Sequence, residues 1–461
     1  MTEQSSDYLI IGAGAMGMAF ADVVMEESDA TITIVDRYHQ PGGHWNVSYP
    51  YVRLHQPSSF YGVNSRKLGR DRIDNFGWNK GLYELAGKSE ICAYYDTLMH
   101  DFIASGRVQF MPMCEYQGDG KVQSLTSKLT HTVKANTVVD ATFMNVKVPA
   151  MAGPAYPVAE DVTCVAPNEL VNAKGQWRRY VIVGAGKTSM DACLFLLDQG
   201  VDPADICWIK PREAWLWDRA KAQSESMFET SLRPFNVARI KAIAESESVD
   251  DVFDRSEAQG LFMRVDQSIK PTMFRCATVS QREVQALRQI KDVVRLGRVK
   301  AIETDTLVLE QGDMPIAEDT LFVDCTADGL AKRPPQPVFN GESITLQSVR
   351  TCQQVFSAAF IAHVALTDRN ETEKNVLCSP VPHPEKDLDY LSNTLSDLVN
   401  AVAWGEDASL TAWVKASRLD GFSYHASGSA EEDAAFEATM EQYGPLAAEK
   451  IMGYLSLGSG D

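Results

Sequence analysis

Two short stretches of this 461-residue chain combine residue types at spacings that suit the binding of a pyrophosphate. The first is Gly12-Ala13-Gly14-Ala15-Met16-Gly17 and the second is Gly184-Ala185-Gly186-Lys187-Thr188-Ser189. In such a G-x-G-x-x-G pattern the first glycine permits a tight turn and the second lets backbone approach the phosphates. The third lets the following helix pack close to the preceding strand. Ser189 replaces the third glycine of the second copy and is small enough for the same packing. The helix that follows offers free amides and a positive dipole end to an anion. The chemistry implied is dinucleotide binding, twice.

The elements around each turn have the order that this chemistry needs. Tyr8-Leu9-Ile10-Ile11 reads as a buried strand, a helix runs to about Glu27, and a second strand at Thr31–Val35 ends in Asp36. A carboxylate at that point accepts from ribose hydroxyls. In the second copy Tyr180–Val183 is the strand, Met190–Gln199 the helix with Gly200 as its stop, and Ile206–Ile209 the next strand. That strand ends in Lys210-Pro211-Arg212 instead of an acid. Lys or Arg there pairs with the 2′-phosphate of NADP, so NADPH is the nucleotide expected at the second turn, together with Lys187 and Thr188. The competing reading makes Lys210 and Arg212 solvated surface cations.

Length and composition bound the rest. A chain of this size is expected to form two domains or more. It is 45% hydrophobic and 23% charged, the range of globular proteins. With 43 basic against 62 acidic residues the net charge is −19, which argues against nucleic acid or an anionic membrane as a general partner. None of the nine cysteines falls in a C-x-x-C pair, and His131 and His383 lie far from any metal-ligand spacing, so no metal is expected and most cysteines read as buried thiols. The N-terminus lacks a basic and then apolar leader, and no apolar run approaches the roughly 18 residues of a membrane span. A cytoplasmic location is the expectation.

The residues after Asp36 narrow the family. Arg37 opens a loop that continues to Gly42-Gly43-His44-Trp45, and this Gly-Gly-x-Trp segment resembles the one that continues along FAD in two-dinucleotide flavoproteins. Val138-Val139-Asp140-Ala141-Thr142 resembles the A-T-G-type segment that returns to the cofactor, and Leu321–Thr326 mirrors it. On these residues the chain resembles glutathione-reductase-type flavoproteins, and most of all class B flavoprotein monooxygenases. The stretch CVAPNELVNAKGQWRRYVIVGAG lacks the F-x-G-x-x-x-H fingerprint of that class. The resemblance implies FAD at the first turn, held by Gly12, Gly14, Ala15, Met16, Gly17, Asp36, Arg37, Gly43, His44, Trp45, Ala141 and Thr142. It implies NADPH at the second, with Gly184, Gly186, Ser189 and Thr326 added to the residues already named. It also implies that Ser48–Ser59 wraps the isoalloxazine edge, which makes Arg53, His55 and Gln56 the catalytic candidates. His55 would donate a proton or hydrogen-bond near flavin N5; the alternative is a structural histidine. Gln347 and Arg350 are candidates for polar contacts to the flavin, against a reading as helix cap and surface residues.

The expected architecture is α/β, with two Rossmann-like dinucleotide-binding domains and the NADPH domain nested in the FAD domain. Residues 1–150 form the first part of the FAD domain, 151–175 a linker, and 176–326 the nested domain. Within it a helical insertion at about 213–292 is a candidate substrate cap. The FAD domain returns at 327–384, and 385–461 are mostly helical. The expected function is an NADPH-reduced FAD oxidoreductase, a monooxygenase that uses O2 through a C4a-peroxyflavin on a small organic substrate. The alternatives are an NADPH-dependent reductase or dehydrogenase without oxygen insertion, and a non-redox flavin-binding isomerase, cyclase or binding protein.

Overall fold

The computed structural model describes residues 3–173, 177–327, 329–421 and 430–458. The end of the expected linker at 174–175 and two stretches of the C-terminal region, 422–429 and 459–461, lie outside the described residues.

The apolar runs flanking both glycine turns become strands of parallel sheets. β1 (Glu3–Ile11) leads through the first turn into α1 (Ala15–Glu27) and β2 (Ile32–Val35). α2 (Lys88–Ala104) returns to β3 (Val108–Met111), and β4 (Cys114–Gly118), β5 (Lys121–Ser124) and β6 (Thr130–Asp140) follow. β1 pairs in parallel with β2 and β6, and β2 with β3. β2 is buried along its whole length, as a parallel strand covered on both faces must be. β4, β5 and β6 form an antiparallel meander at one side.

The second unit opens with β7 (Cys164–Val165), inside the expected linker, and α3 (Leu170–Ala173), and continues with β8 (Arg179–Val183), α4 (Lys187–Asp198) and β9 (Ile206–Ile209). Segment 213–292 holds the expected helices α5 (Phe228–Ala244), α6 (Val249–Ala258) and α7 (Gln281–Leu287). It also contains β10 (Ala214–Asp218), β11 (Phe262–Met263) and β12 (Met273–Val279), a small sheet that the helical reading missed. β10 is buried at every position, so it shows none of the polar alternation by which a half-buried strand is recognised. β13 (Asp292–Val294), an antiparallel set of β14 (Val299–Ile302), β15 (Thr306–Leu309) and β16 (Gly312–Pro315), and β17 (Thr320–Asp324) complete the unit. Its sheet has the order β13-β9-β8-β17-β7, parallel throughout.

The chain then rejoins the first sheet. β18 (Phe339–Asn340) and β19 (Ser343–Thr345) add to β6, so the first sheet has eight strands and the second unit is inserted within it. α8 (Gln354–Ala365), α9 (Glu371–Leu377), α10 (Asp387–Gly405), α11 (Ala408–Ala416) and α12 (Ala430–Gly458) end the chain. α8 is apolar nearly all round and packs beside α1 in the first core, as a helix without a polar face must. α10 and α12 pack on the 213–292 segment, where Trp215, Trp217, Phe253, Phe262, Phe274 and Tyr390 share one core. Cys276 and Cys352 are joined in a disulfide that ties β12 to the turn before α8, and the other seven cysteines are free. No described helix is long and apolar enough to cross a membrane.

Candidate functional site

The first glycine turn is held from three sides. Gly12 donates to the Val35 carbonyl at 2.8 Å with φ +103°, which glycine adopts at no cost. A Cβ on Gly17 would collide with the Gly12 carbonyl oxygen, so helix α1 can lie against β1 only with glycine there. The loop from Arg37 to Trp45 covers the turn: Gly42 donates to Ala13 O at 2.8 Å, and a Cβ on Gly43 would stand 3.0 Å from Gly14 Cα. Asp36 pins the arrangement, accepting from the Ala13 amide at 2.6 Å on one oxygen and from the Tyr38 amide at 2.7 Å on the other. Burial raises its pKa, partly offset by those two bonds. Ala15 and Met16 open α1, whose first turn has neither an acidic residue nor a side-chain cap, so its amides remain available to an anion. Trp45 is buried and donates to the Tyr61 hydroxyl at 2.7 Å, with His44 beside it. Burial lowers the His44 pKa to about 4. Arg37 is exposed and lies over the Tyr38 ring.

The second turn repeats the first down to its closing segment. Gly184 donates to Ile209 O at 3.0 Å with φ +135°. Ala141 donates to Ile11 O at 3.0 Å behind the first turn, and Cys325 to Val183 O at 2.9 Å behind the second. A Cβ on Gly12 would meet Thr142, and one on Gly184 would meet Cys325. Thr142 returns its amide and hydroxyl to Asp140 Oδ1, and Thr326 does the same to Asp324 Oδ1. Asp-x-Thr thus closes both turns with one side-chain motif. Gly186 is the uncapped N-cap of α4, Thr188 lies in its first turn, and the buried Ser189 bonds back to Gly186 O at 2.7 Å.

The cations expected at the second turn have other partners. Lys210 is 1% exposed, forms an ion pair with Glu213 and lies 4.6 Å from the Trp208 ring centroid. Glu213 also takes Arg295 at 2.9 Å, and burial lowers the Lys210 pKa. Lys210 is therefore corrected from phosphate ligand to buried structural cation. Arg212 is about a third exposed and sits 3.0 Å from Glu385 Oε1. Lys187 pairs with Asp191 one helical turn on and lies 3.9 Å from Glu283, so its charge is also neutralised within the protein.

The Ser48–Ser59 segment bridges the two units. Tyr49 donates to Asp191 at 2.7 Å, Tyr51 stacks on Phe195, and Arg219 donates to the His55 carbonyl at 2.6 Å. Arg219 also binds Glu283 at 2.9 Å. His55 is half-buried, and burial, reinforced by the charges of Lys187 and Arg219, lowers its pKa to about 3. It is neutral at physiological pH. Gln56 is half-buried next to it. Arg53 does not share this environment: its side chain is 58% exposed and reaches toward Asp74 at 3.9 Å. The Lys187–Asp191–Glu283–Arg219 cluster was not expected. Its one sequence signal is Ser280-Gln281-Arg282-Glu283, a capping-box pattern that forms as such at the start of α7.

Gln347 and Arg350 separate in the structure. Gln347 binds both backbone groups of Gln336, donating at 2.6 Å and accepting at 3.3 Å, on the wall of a cavity of about 510 Å³. Arg350 pairs with the buried Asp420 and lies between the Phe356 and Trp404 rings, 4.6 and 4.7 Å from their centroids. It is corrected from cofactor contact to core cation.

Uncharacterized protein Rv2000 of Mycobacterium tuberculosis (strain ATCC 25618 / H37Rv) is 50% identical over 416 residues, 90% of this chain and 77% of its own length. Uncharacterized protein Mb2023 of Mycobacterium bovis matches to the same extent. The chain belongs to the family of these mycobacterial proteins. No protein-family model matches it. Among solved structures, the open crystal structure of cyclohexanone monooxygenase aligns with a TM-score of 0.50 at 14% identity, covering 91% of this chain and 98% of that one. The crystal structure of OTEMO in complex with FAD and NADP aligns with a TM-score of 0.50 at 12% identity, covering 79% and 84%. At these identities the likeness is one of fold: this chain has the two-domain α/β fold of those flavin monooxygenases.

Proposed function

We propose that this protein is an FAD- and NADPH-dependent oxidoreductase of the monooxygenase type, acting with O2 on a small organic substrate. The observation that carries the reading is the doubled glycine turn, each copy closed by the same Asp-x-Thr segment and the two joined through Tyr49 and Asp191. A single nucleotide would need one such turn. The residues present suit both groups: Gly14 and Gly43 keep side chains off the first turn, and the α1 and α4 amides lack competing caps. The neighbouring fold, solved in one case in complex with FAD and NADP, supports the same assignment.

When bound, FAD supplies two-electron chemistry and NADPH the hydride. The chain's own residues position and shield. Gly12, Gly14, Ala15, Met16, Gly17 and Gly43 would hold the FAD pyrophosphate, and Asp36 the ribose through the lone pairs its backbone bonds leave. Gly184, Gly186, Thr188 and Ser189 would hold that of NADPH, and Arg212 is the strand-end cation left for its 2′-phosphate. His55, neutral and between the two units, would present an uncharged hydrogen-bonding ring to the reacting groups. The missing class B fingerprint before Gly184 favours a second reading, an NADPH-dependent reductase or dehydrogenase without oxygen insertion.

The test is anaerobic mixing of the purified flavin-loaded protein with NADPH and, separately, NADH, followed by admission of air. Bleaching of the flavin absorbance by NADPH is expected, with oxygen uptake coupled to loss of substrate. Bleaching followed by stoichiometric hydrogen peroxide release with every substrate offered selects the reductase. No bleaching by either nucleotide overturns both.

A further inference from the structure

The cavity of about 510 Å³ lies between the segments that follow β6, β17 and β19 and the strap Pro380–Glu385. Of the residues expected to do chemistry, Gln347 alone is on its wall. Its wall includes the apolar side chains of Phe143, Leu330, Pro334 and Val381. It also carries Arg275, Lys332 and Arg333, with Glu385 and Asp389.

The charges on this wall do not balance. Asp389 accepts the Glu385 and Lys386 amides at 2.8 Å and so caps α10. Glu385 is the carboxylate shared by three cations: Lys332 at 2.7 Å, Arg212 at 3.0 Å and Arg275 at 3.7 Å. The hydrogen bond from Lys332, with those of its neighbours, holds its pKa at about 2. Arg333 adds a further guanidinium over the Phe143 ring. Three cations against two carboxylates on this wall is the reverse of the chain as a whole, which carries −19. On the same wall His383 Nδ1 is buried without a hydrogen-bond partner. Cations gathered on one cavity wall raise the local potential and favour an anion there. Guanidinium and ammonium groups side by side match carboxylate or phosphate oxygens. A volume of this size suits a small molecule, and the apolar wall suits a hydrocarbon body.

We propose that this cavity binds a small organic anion, its carboxylate or phosphate against Arg275 and Lys332 and its apolar body along Phe143, Leu330 and Pro334. The site is distinct from both glycine turns, and its ligand is defined by charge and shape whether or not the redox reading holds.

The test is calorimetric titration of the purified full-length protein with phenylacetate, phenyl phosphate and neutral phenylacetamide. At least one anion is expected to bind about tenfold or more tightly than the amide, and which one does so identifies the anionic group. Lys332→Met, at a side chain 55% exposed and so tolerant of change, should weaken that anion about fivefold with an unchanged Tm. Arg275→Met should weaken it about tenfold. Equal binding of amide and anion, no binding of either anion up to about 10 mM, or an affinity unaffected by Lys332→Met overturns the proposal. So does competitive displacement by NADP+ together with an equal loss of NADP+ affinity in Lys332→Met, because the cations would then serve the nucleotide. NADPH reduction of the flavin, followed in parallel, reports on the redox reading alone: anion binding without reduction keeps this inference and removes the other.

Discussion

The Tyr49 hydroxyl donates to Asp191 Oδ2 across 2.7 Å, joining the loop after the first glycine turn to the helix that opens from the second. Tyr51 stacks on Phe195 one helical turn further along, ring centroids 4.4 Å apart. Two glycine turns built on separate sheets are thereby held at a fixed separation, which the proposed transfer between their ligands requires. Tyr49→Phe is expected to cost about 1 kcal/mol of stability and to slow flavin reduction by NADPH at unchanged flavin content. Stopped-flow absorbance checks it; an unchanged rate would mean that the Tyr51–Phe195 stack holds the separation unaided.

Gly17→Ala places a methyl group against the Gly12 carbonyl oxygen, and relieving that collision moves α1 away from β1. The expected outcome is a loss of about 2 kcal/mol and of co-purifying flavin. The ratio of flavin to protein absorbance measures it. Full flavin retention would show that the turn yields without opening.

Lys210 and Arg212 stand two residues apart and should behave differently. Lys210→Met leaves the buried Glu213 with Arg295 as its remaining cation, at an expected cost of about 3 kcal/mol. Its preference for NADPH over NADH should be unchanged. Arg212→Ala should reduce that preference about tenfold with little effect on stability. Steady-state kinetics with both nucleotides decides, and a larger loss of preference in Lys210→Met would reverse the two roles.

Three histidines make stability depend on pH. The pKa values of His44, His55 and His383 are lowered from 6.5 to about 4, 3 and 4, chiefly by burial. Their contribution is fully present above pH 6.5. As pH falls below it the unfolded chain takes up protons that the folded chain does not, so stability declines by up to about 1.4 kcal/mol per pH unit for each histidine. Urea midpoints between about pH 7 and 4.5 should fall steeply, and His55→Gln should remove about one proton from the slope. A slope identical to that of the parent would place a protonated His55 in the folded protein.

Both glycine turns were legible in the sequence because their requirements are local. Gly12 and Gly184 adopt positive φ, Gly17 and Ser189 must be small, and the flanking strands are buried on both faces, so consecutive residues declare all of it. The Asp-x-Thr segments were legible for the same reason. Arg212 and Lys210 were not separable, because which one is buried follows from Glu213 and from Arg295, just past the neighbouring strand β13 and 82 residues from Glu213. The strands within 213–292 were missed because full burial removes the alternation that marks a strand.

What the sequence by itself determined is the pair of glycine turns, their order and the nesting of one unit in the other. Tertiary structure alone decided the rest: that Arg350 meets Asp420 inside the core, that Cys276 meets Cys352, that His55 is neutral between Lys187 and Arg219, and that three cations gather at one cavity in an acidic chain. The physical reason is range. A turn depends on backbone sterics over a few consecutive residues, whereas the state of a charge depends on burial and on partners that only folding brings within a few ångströms.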